Sequence, residues 1–287
     1  MLPRPDVNLA RPGGVLARHD GSVSPSRRLL LQCVALVAVV LAVTLVAARL
    51  TRSDVRPRLA AVPQDRPGPV LLVPGYGGST TSLQVLAGRL RAAGRDASVV
   101  TLPGEGTGDL VAQARVLDAA ARAAVAAGAP SVDVVGYSAG GVVVRLWARN
   151  LDGDGLARRI VTLGSPHHGT KVAALGAAFA PGACPTACQQ LVPGSTLLKG
   201  LNAGDETPAG PQWLSLWTAQ DQTVTPPESA RLAGATDVVL QDVCGGLQLT
   251  HSDLPRSPLV AGIVLQALGT QDVRQPRGCS ALQAAGR

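Results

Sequence analysis

Aromatic side chains make up only 2% of this chain: one Phe, two Tyr and three Trp in 287 residues. A core must therefore be built from Val, Leu and Ala, and no basic run interleaved with aromatics exists to stack bases or follow a phosphate backbone. Charge argues the same way. The formal net charge is +7, but residues 1–58 hold nine Arg against Asp6, Asp20 and Asp54, and the remaining 17 Lys+Arg against 16 Asp+Glu leave only +1. The basic character belongs to the N-terminal region, and nucleic acid is excluded as a partner. Cysteine is scarce, with five residues. Apart from Cys184 and Cys188, no Cys or His pair has the spacing of a structural zinc site, so neither metal nor cofactor is expected. Internal repeats are absent.

What is present begins with an apolar run. Leu29 to Ala48 is twenty residues without a charge, directly preceded by Arg27 and Arg28. At about 1.5 Å of helical rise per residue this is just long enough for the hydrocarbon core of a bilayer. It reads as a transmembrane signal anchor, with cleavage near Val46-Ala47-Ala48 as the alternative that would release a secreted protein. Cys33 lies inside it. The other four cysteines, Cys184, Cys188, Cys244 and Cys279, follow it, and an even number suits an oxidising compartment outside the cytoplasm. Four cysteines allow three pairings, of which Cys184 with Cys188 and Cys244 with Cys279 is favoured here over free thiols.

These features divide the chain into a basic tail (1–28), the apolar segment (29–48), an Arg- and Pro-rich linker (49–68), one globular domain (69–270) and an irregular tail (271–287). Within the domain, short apolar runs alternate with amphipathic stretches. Strands are expected at Val70 to Val73, Ala97 to Leu102, Val132 to Val135, Ile160 to Leu163, Trp213 to Thr218 and Asp237 to Leu240. Helices are expected at Ser79 to Ala93, Asp109 to Ala127, Gly140 to Asn150, Pro227 to Ala233 and Leu259 to Leu268. Such alternation predicts an α/β fold with a mostly parallel sheet covered on both faces. It breaks down at residues 170–212, a Gly- and Pro-rich stretch that reads as an insertion, a lid or substrate wall.

One motif carries chemistry. Gly136-Tyr137-Ser138-Ala139-Gly140 arises by chance in about one chain of this composition in five, but here it sits between an apolar strand and a helix. A sharp turn there would lift the Ser138 hydroxyl above the sheet edge. A hydroxyl needs a base, and of His19, His167, His168 and His251 only His251 lies after the last strand, where this arrangement places it. His167 and His168 follow too soon and are given a structural role near the site, bonded to backbone. The acid that orients the imidazole is expected between serine and histidine in sequence. Asp221, on a loop just past a strand, is preferred to Glu206, Glu228, Asp237 and Asp242. Oxyanion donors would be the backbone N–H groups of Ala139 and of Tyr76, the latter in Pro74-Gly75-Tyr76-Gly77-Gly78 after the first strand.

These residues resemble the bacterial class 2 lipase family of the α/β-hydrolase superfamily. The marks are Val73 to Gly78, the Ser138 turn, Thr162 to Thr170, Gly182 to Cys188 and His251, and the resemblance runs from about Pro69 to Leu268. It implies hydrolysis of carboxylic esters, of lipids or of small acyl groups, through an acyl-enzyme and without cofactor. Relatives often carry His at the position of Pro74; because the donor there is a backbone group, the change touches the pocket wall rather than the mechanism. The expectation is a monomeric, extracytoplasmic lipase or esterase held at the membrane through residues 29–48. Two alternatives accompany it: an envelope acyltransferase with the same three residues, and a membrane-tethered binding protein without catalysis.

Overall fold

The computed structural model describes residues 25–50 and 62–287. The basic tail before residue 25 and most of the expected linker lie outside the described residues. The chain divides into two units, Met1–Arg58 and Leu59–Arg287. In the first, Pro25–Leu50 forms helix α1. The expected transmembrane span is not supported: among the described residues no helix is long and apolar enough to cross a membrane.

The second unit is built on strands β1 (Val70–Val73), β2 (Ala97–Val99), β3 (Val132–Tyr137), β4 (Ala157–Leu163), β5 (Gln212–Trp217) and β6 (Thr236–Val239). Their order is β2-β1-β3-β4-β5-β6, and every pairing is parallel. The helices are α2 (Thr81–Ala92), α3 (Leu110–Ala126), α4 (Ala139–Asn150), α5 (Lys171–Phe179), α6 (Thr186–Gln190), α7 (Thr196–Leu201), α8 (Leu240–Val243), α9 (Pro258–Ala267) and α10 (Cys279–Ala285).

Alternation along the strands sorts the core into two layers, because successive side chains of a strand point to opposite faces. Leu71, Val73, Val132 and Val134 pack with α3 and α4 through Leu110, Leu117, Val143 and Trp147. Val70, Leu72, Val135, Val161, Leu163 and Leu216 pack with α2 and α9 through Leu83, Leu86, Leu90 and Ile263. A sheet covered on both faces needs apolar residues at consecutive positions, which is why Val70-Leu71-Leu72-Val73 is buried throughout.

Two expectations are corrected. β4 starts at Ala157 rather than Ile160, taking in Arg158 and Arg159, both fully buried. Arg158 is tolerated there because its guanidinium meets the buried Asp133 carboxylate at 3.0 and 2.6 Å and the Leu268 and Gly269 carbonyls at 2.6 and 2.7 Å. The stretch 170–212, expected as an insertion, contains α5, α6 and α7. The tail after residue 270 is not wholly irregular: α10 is joined to the end of α8 by the Cys244–Cys279 disulfide and buries Leu282. Cys184 and Cys188 form the second disulfide.

Candidate active site

Parallel order brings the C-terminal ends of β3, β4 and β5 to one edge, and the loops leaving them carry the reactive groups. Ser138 stands between β3 and α4 with φ 53° and ψ −127°, a conformation that costs a non-glycine residue on the order of 1–3 kcal/mol and persists only when its surroundings enforce it. Close packing enforces it here. A Cβ on Gly136 would lie 2.6 Å from Gly141 Cα and 2.8 Å from the Gly140 carbonyl oxygen, so the strand and the helix approach through bare backbone. The Ser138 N–H donates to the Leu163 carbonyl at 2.9 Å, tying the turn to β4.

Asp221 lies four residues past β5, and His251 opens a short 3₁₀ helix, His251–Arg256. One Asp221 oxygen accepts from the N–H groups of Thr223 at 2.9 Å and Val224 at 2.8 Å, which fixes the carboxylate plane. The other accepts from His251 Nδ1 at 2.6 Å. Since a carboxylate can only accept, Nδ1 carries the proton, and Nε2 is left to accept from Ser138 Oγ at 3.0 Å. The histidine loop is held by its own cap, in which the N–H and hydroxyl of Thr250 both donate to Asp253, at 2.9 and 2.6 Å. Ser138, Asp221 and His251 are thus brought together and buried, at 9%, 4% and 7% exposure. Such an array can take a proton from the hydroxyl, stabilise the imidazolium that results and so make the oxygen nucleophilic.

The other candidates are placed as follows. Ala139 begins α4, whose free N–H groups point toward the serine end of the helix. Tyr76 lies on the turn Gly75–Gly78, closed by a 3.0 Å bond from the Gly78 N–H to the Gly75 carbonyl. Gly75 lies against Ser138, and a Cβ there would stand 2.9 Å from Ser138 Cβ. Of the rival acids, Glu206 meets His168 Nε2 at 3.1 Å, and Asp237 accepts from the Leu232 N–H at 3.1 Å. His168 also reaches the Ser229 carbonyl at 3.3 Å. His167 bonds to a side chain instead, Thr162 Oγ1 at 3.1 Å, and burial beside Arg145 and His168 holds its pKa well below the usual imidazole range.

Two contacts escaped the sequence reading. Gly164, in the left-handed region at φ 55°, lies against Asp221 and His251: a Cβ there would be 3.2 Å from both Asp221 Oδ2 and His251 Nδ1, and 2.7 Å from Leu254 Cδ1. Tyr137, within the serine motif, reaches across to the histidine loop. Gly164 lies within Thr162 to Thr170, where His167 and His168 stand out, and Tyr137 lies beside Ser138.

Residues 109–242 match the class 2 lipase family. The lipase match includes Ser138 and Asp221 but stops short of Tyr76 on one side and His251 on the other. The fold is that of the α/β-hydrolase lipases. Lipase B of Aspergillus fumigatus is 20% identical over 79% of this chain, with a TM-score of 0.63, and the match spans 59% of that longer protein. The mature form of the Bacillus licheniformis lipase BlEst2 is 18% identical over 71% of this chain and 92% of its own, with a TM-score of 0.57. At these identities the likeness is one of fold. No curated protein matches the chain in sequence.

Proposed function

We propose that this protein is a serine ester hydrolase acting outside the cytoplasm. The observation that carries the reading is the continuous path from Asp221 through His251 to Ser138, with bonds of 2.6 and 3.0 Å. His251 Nε2 takes the Oγ proton as the oxygen adds to the ester carbonyl. The N–H groups of Tyr76 and Ala139 receive the negative charge of the tetrahedral intermediate. Its collapse breaks the bond to the alkoxy oxygen, His251 returns the proton to the departing alcohol, and the acyl group remains on Ser138. Water then repeats the sequence, giving its proton to His251 and releasing the acid. Asp221, held by two backbone N–H groups, orients the imidazole and offsets its transient charge. The two disulfides support an extracytoplasmic location, because bonds of this kind persist in oxidising compartments.

A fluorophosphonate probe together with a chain-length series of p-nitrophenyl esters tests the reading. The wild type should label and release free acid, and Ser138→Ala should do neither. Labelling that persists in Ser138→Ala would overturn the nucleophile, and a wild type that neither labels nor turns over would favour a binding protein. Product diverted from free acid to ester by added alcohols would mark an acyltransferase.

A further inference from the structure

We infer that Gly106 and Gln113 are positioning residues, which set the place of the Tyr76 N–H by bracing its turn from outside. The inference rests on the proposed role of Tyr76 as an oxyanion donor. The turn Gly75–Gly78 has two neighbours. On one side Gly75 lies against Ser138; on the other Gly78 lies against the loop after β2, Pro103-Gly104-Glu105-Gly106-Thr107-Gly108. The two backbones touch without side chains between them. A Cβ on Gly106 would stand 2.6 Å from both the N and the Cα of Gly78, and one on Gly78 would stand 3.2 Å from the Glu105 carbonyl oxygen.

Tyr76 does not hold the turn itself, since its side chain is 45% exposed. The outer loop is held firmly. Gly106 N–H bonds back to the Pro103 carbonyl at 3.2 Å. Gln113, on the second turn of α3 and only 2% exposed, donates its amide to the carbonyls of Gly106 at 3.2 Å and Gly108 at 3.1 Å. The Thr107 carbonyl accepts from the Ala187 N–H of α6 at 3.1 Å. A donor must meet the oxyanion at hydrogen-bond distance, and a displacement of about 1 Å is enough to lose on the order of a hundredfold in rate. The amide of a buried glutamine two contacts away therefore governs transition-state binding and leaves ground-state binding untouched.

Gly104 supplies the control, because at φ 59° it has the same left-handed backbone as Gly106 at 66°, yet nothing lies within 4 Å of the Cβ it would gain. Gly104→Ala and Gly106→Ala thus share the backbone strain, and only the second pushes on Gly78. Each is compared with wild type for kcat and KM on one p-nitrophenyl ester and for inhibition by butylboronic acid. That acid forms an Oγ–B bond as the hydroxyl proton moves to His251, leaving a negatively charged tetrahedral boron in place of the oxyanion.

Gly106→Ala should lower kcat and weaken boronate binding by about 10- to 100-fold relative to Gly104→Ala, with KM within about threefold. Gln113→Glu, which keeps the size and removes the donors, should move the same two quantities together and decides the matter if Gly106→Ala does not fold. Equal boronate affinity in the two alanine variants, or a loss confined to KM, overturns the brace alone. A wild type that binds no boronate and cleaves no ester overturns the reading of the site, and the brace with it.

Discussion

Tyr137 donates its hydroxyl to the backbone carbonyl of His251 at 3.2 Å, and the two rings stand 5.1 Å apart, tilted by 30°. The residue just before Ser138 thus holds the loop of His251. Burial and the nearby Asp221 carboxylate push the phenol up to about 12, so it remains a donor throughout the neutral range. Tyr137→Phe keeps the ring and removes one hydrogen bond. It should cost about 1 kcal/mol in urea unfolding and lower kcat several-fold. Tyr137→Ala, which removes the ring contact as well, should be worse in both. Unchanged turnover in Tyr137→Ala would show that the cap at Thr250 is enough to place the histidine.

Gly164→Ala tests the tightness of the acid–base pair. The new methyl meets Leu254 at 2.7 Å and the Asp221–His251 bond at 3.2 Å, on a backbone at φ 55° that disfavours any side chain. Displacing the carboxylate from Nδ1 leaves the imidazole free to turn to the wrong tautomer. The expected result is a fall in kcat of about a hundredfold or more, with fluorophosphonate labelling slowed in parallel. Labelling at the wild-type rate would sink this account.

His167 gives a pH dependence to stability rather than to catalysis. Buried and facing Thr162, with the Arg145 charge and His168 nearby, it stays neutral in the native state, its pKa depressed below the ordinary imidazole value. In the unfolded chain it takes a proton near pH 6.5, so below that pH the unfolded state binds one proton more than the native state. Stability should therefore fall with decreasing pH, by up to about 1.4 kcal/mol per unit from this group. Urea midpoints at pH 5, 6, 7 and 8 should show a steeper acid loss in wild type than in His167→Gln. Parallel slopes would assign the acid sensitivity to other groups.

The six strands and their parallel packing, the serine turn and the placing of Asp221 and His251 on later loops could be read from the sequence, because buried parallel strands leave unbroken apolar runs and the serine turn demands small neighbours. Charge hid the start of β4: Arg158 and Arg159 look like a surface turn until Asp133, on the neighbouring strand, is seen opposite. Helices α6, α7 and α10 are each too short to impose a 3.6-residue period, so the alternation breaks down over residues 170–212 and the tail reads as irregular. Gly106 and Gln113 left no local signal, since their importance lies in what crosses the gap to Gly78, and contact between loops has no period in the chain.

The Cys244–Cys279 bond encloses the stretch that carries His251. That makes the histidine part of a macrocycle closed through sulfur. A protease that cuts one peptide bond between the two cysteines opens the ring but releases no fragment, so the imidazole stays tethered to the chain that bears Ser138 and can re-dock without a second molecule being found. Only a cut between Cys244 and His251 combined with reduction would separate His251 from Ser138, so protein nicked there should lose the proposed activity when the disulfide is reduced rather than when the backbone is cut.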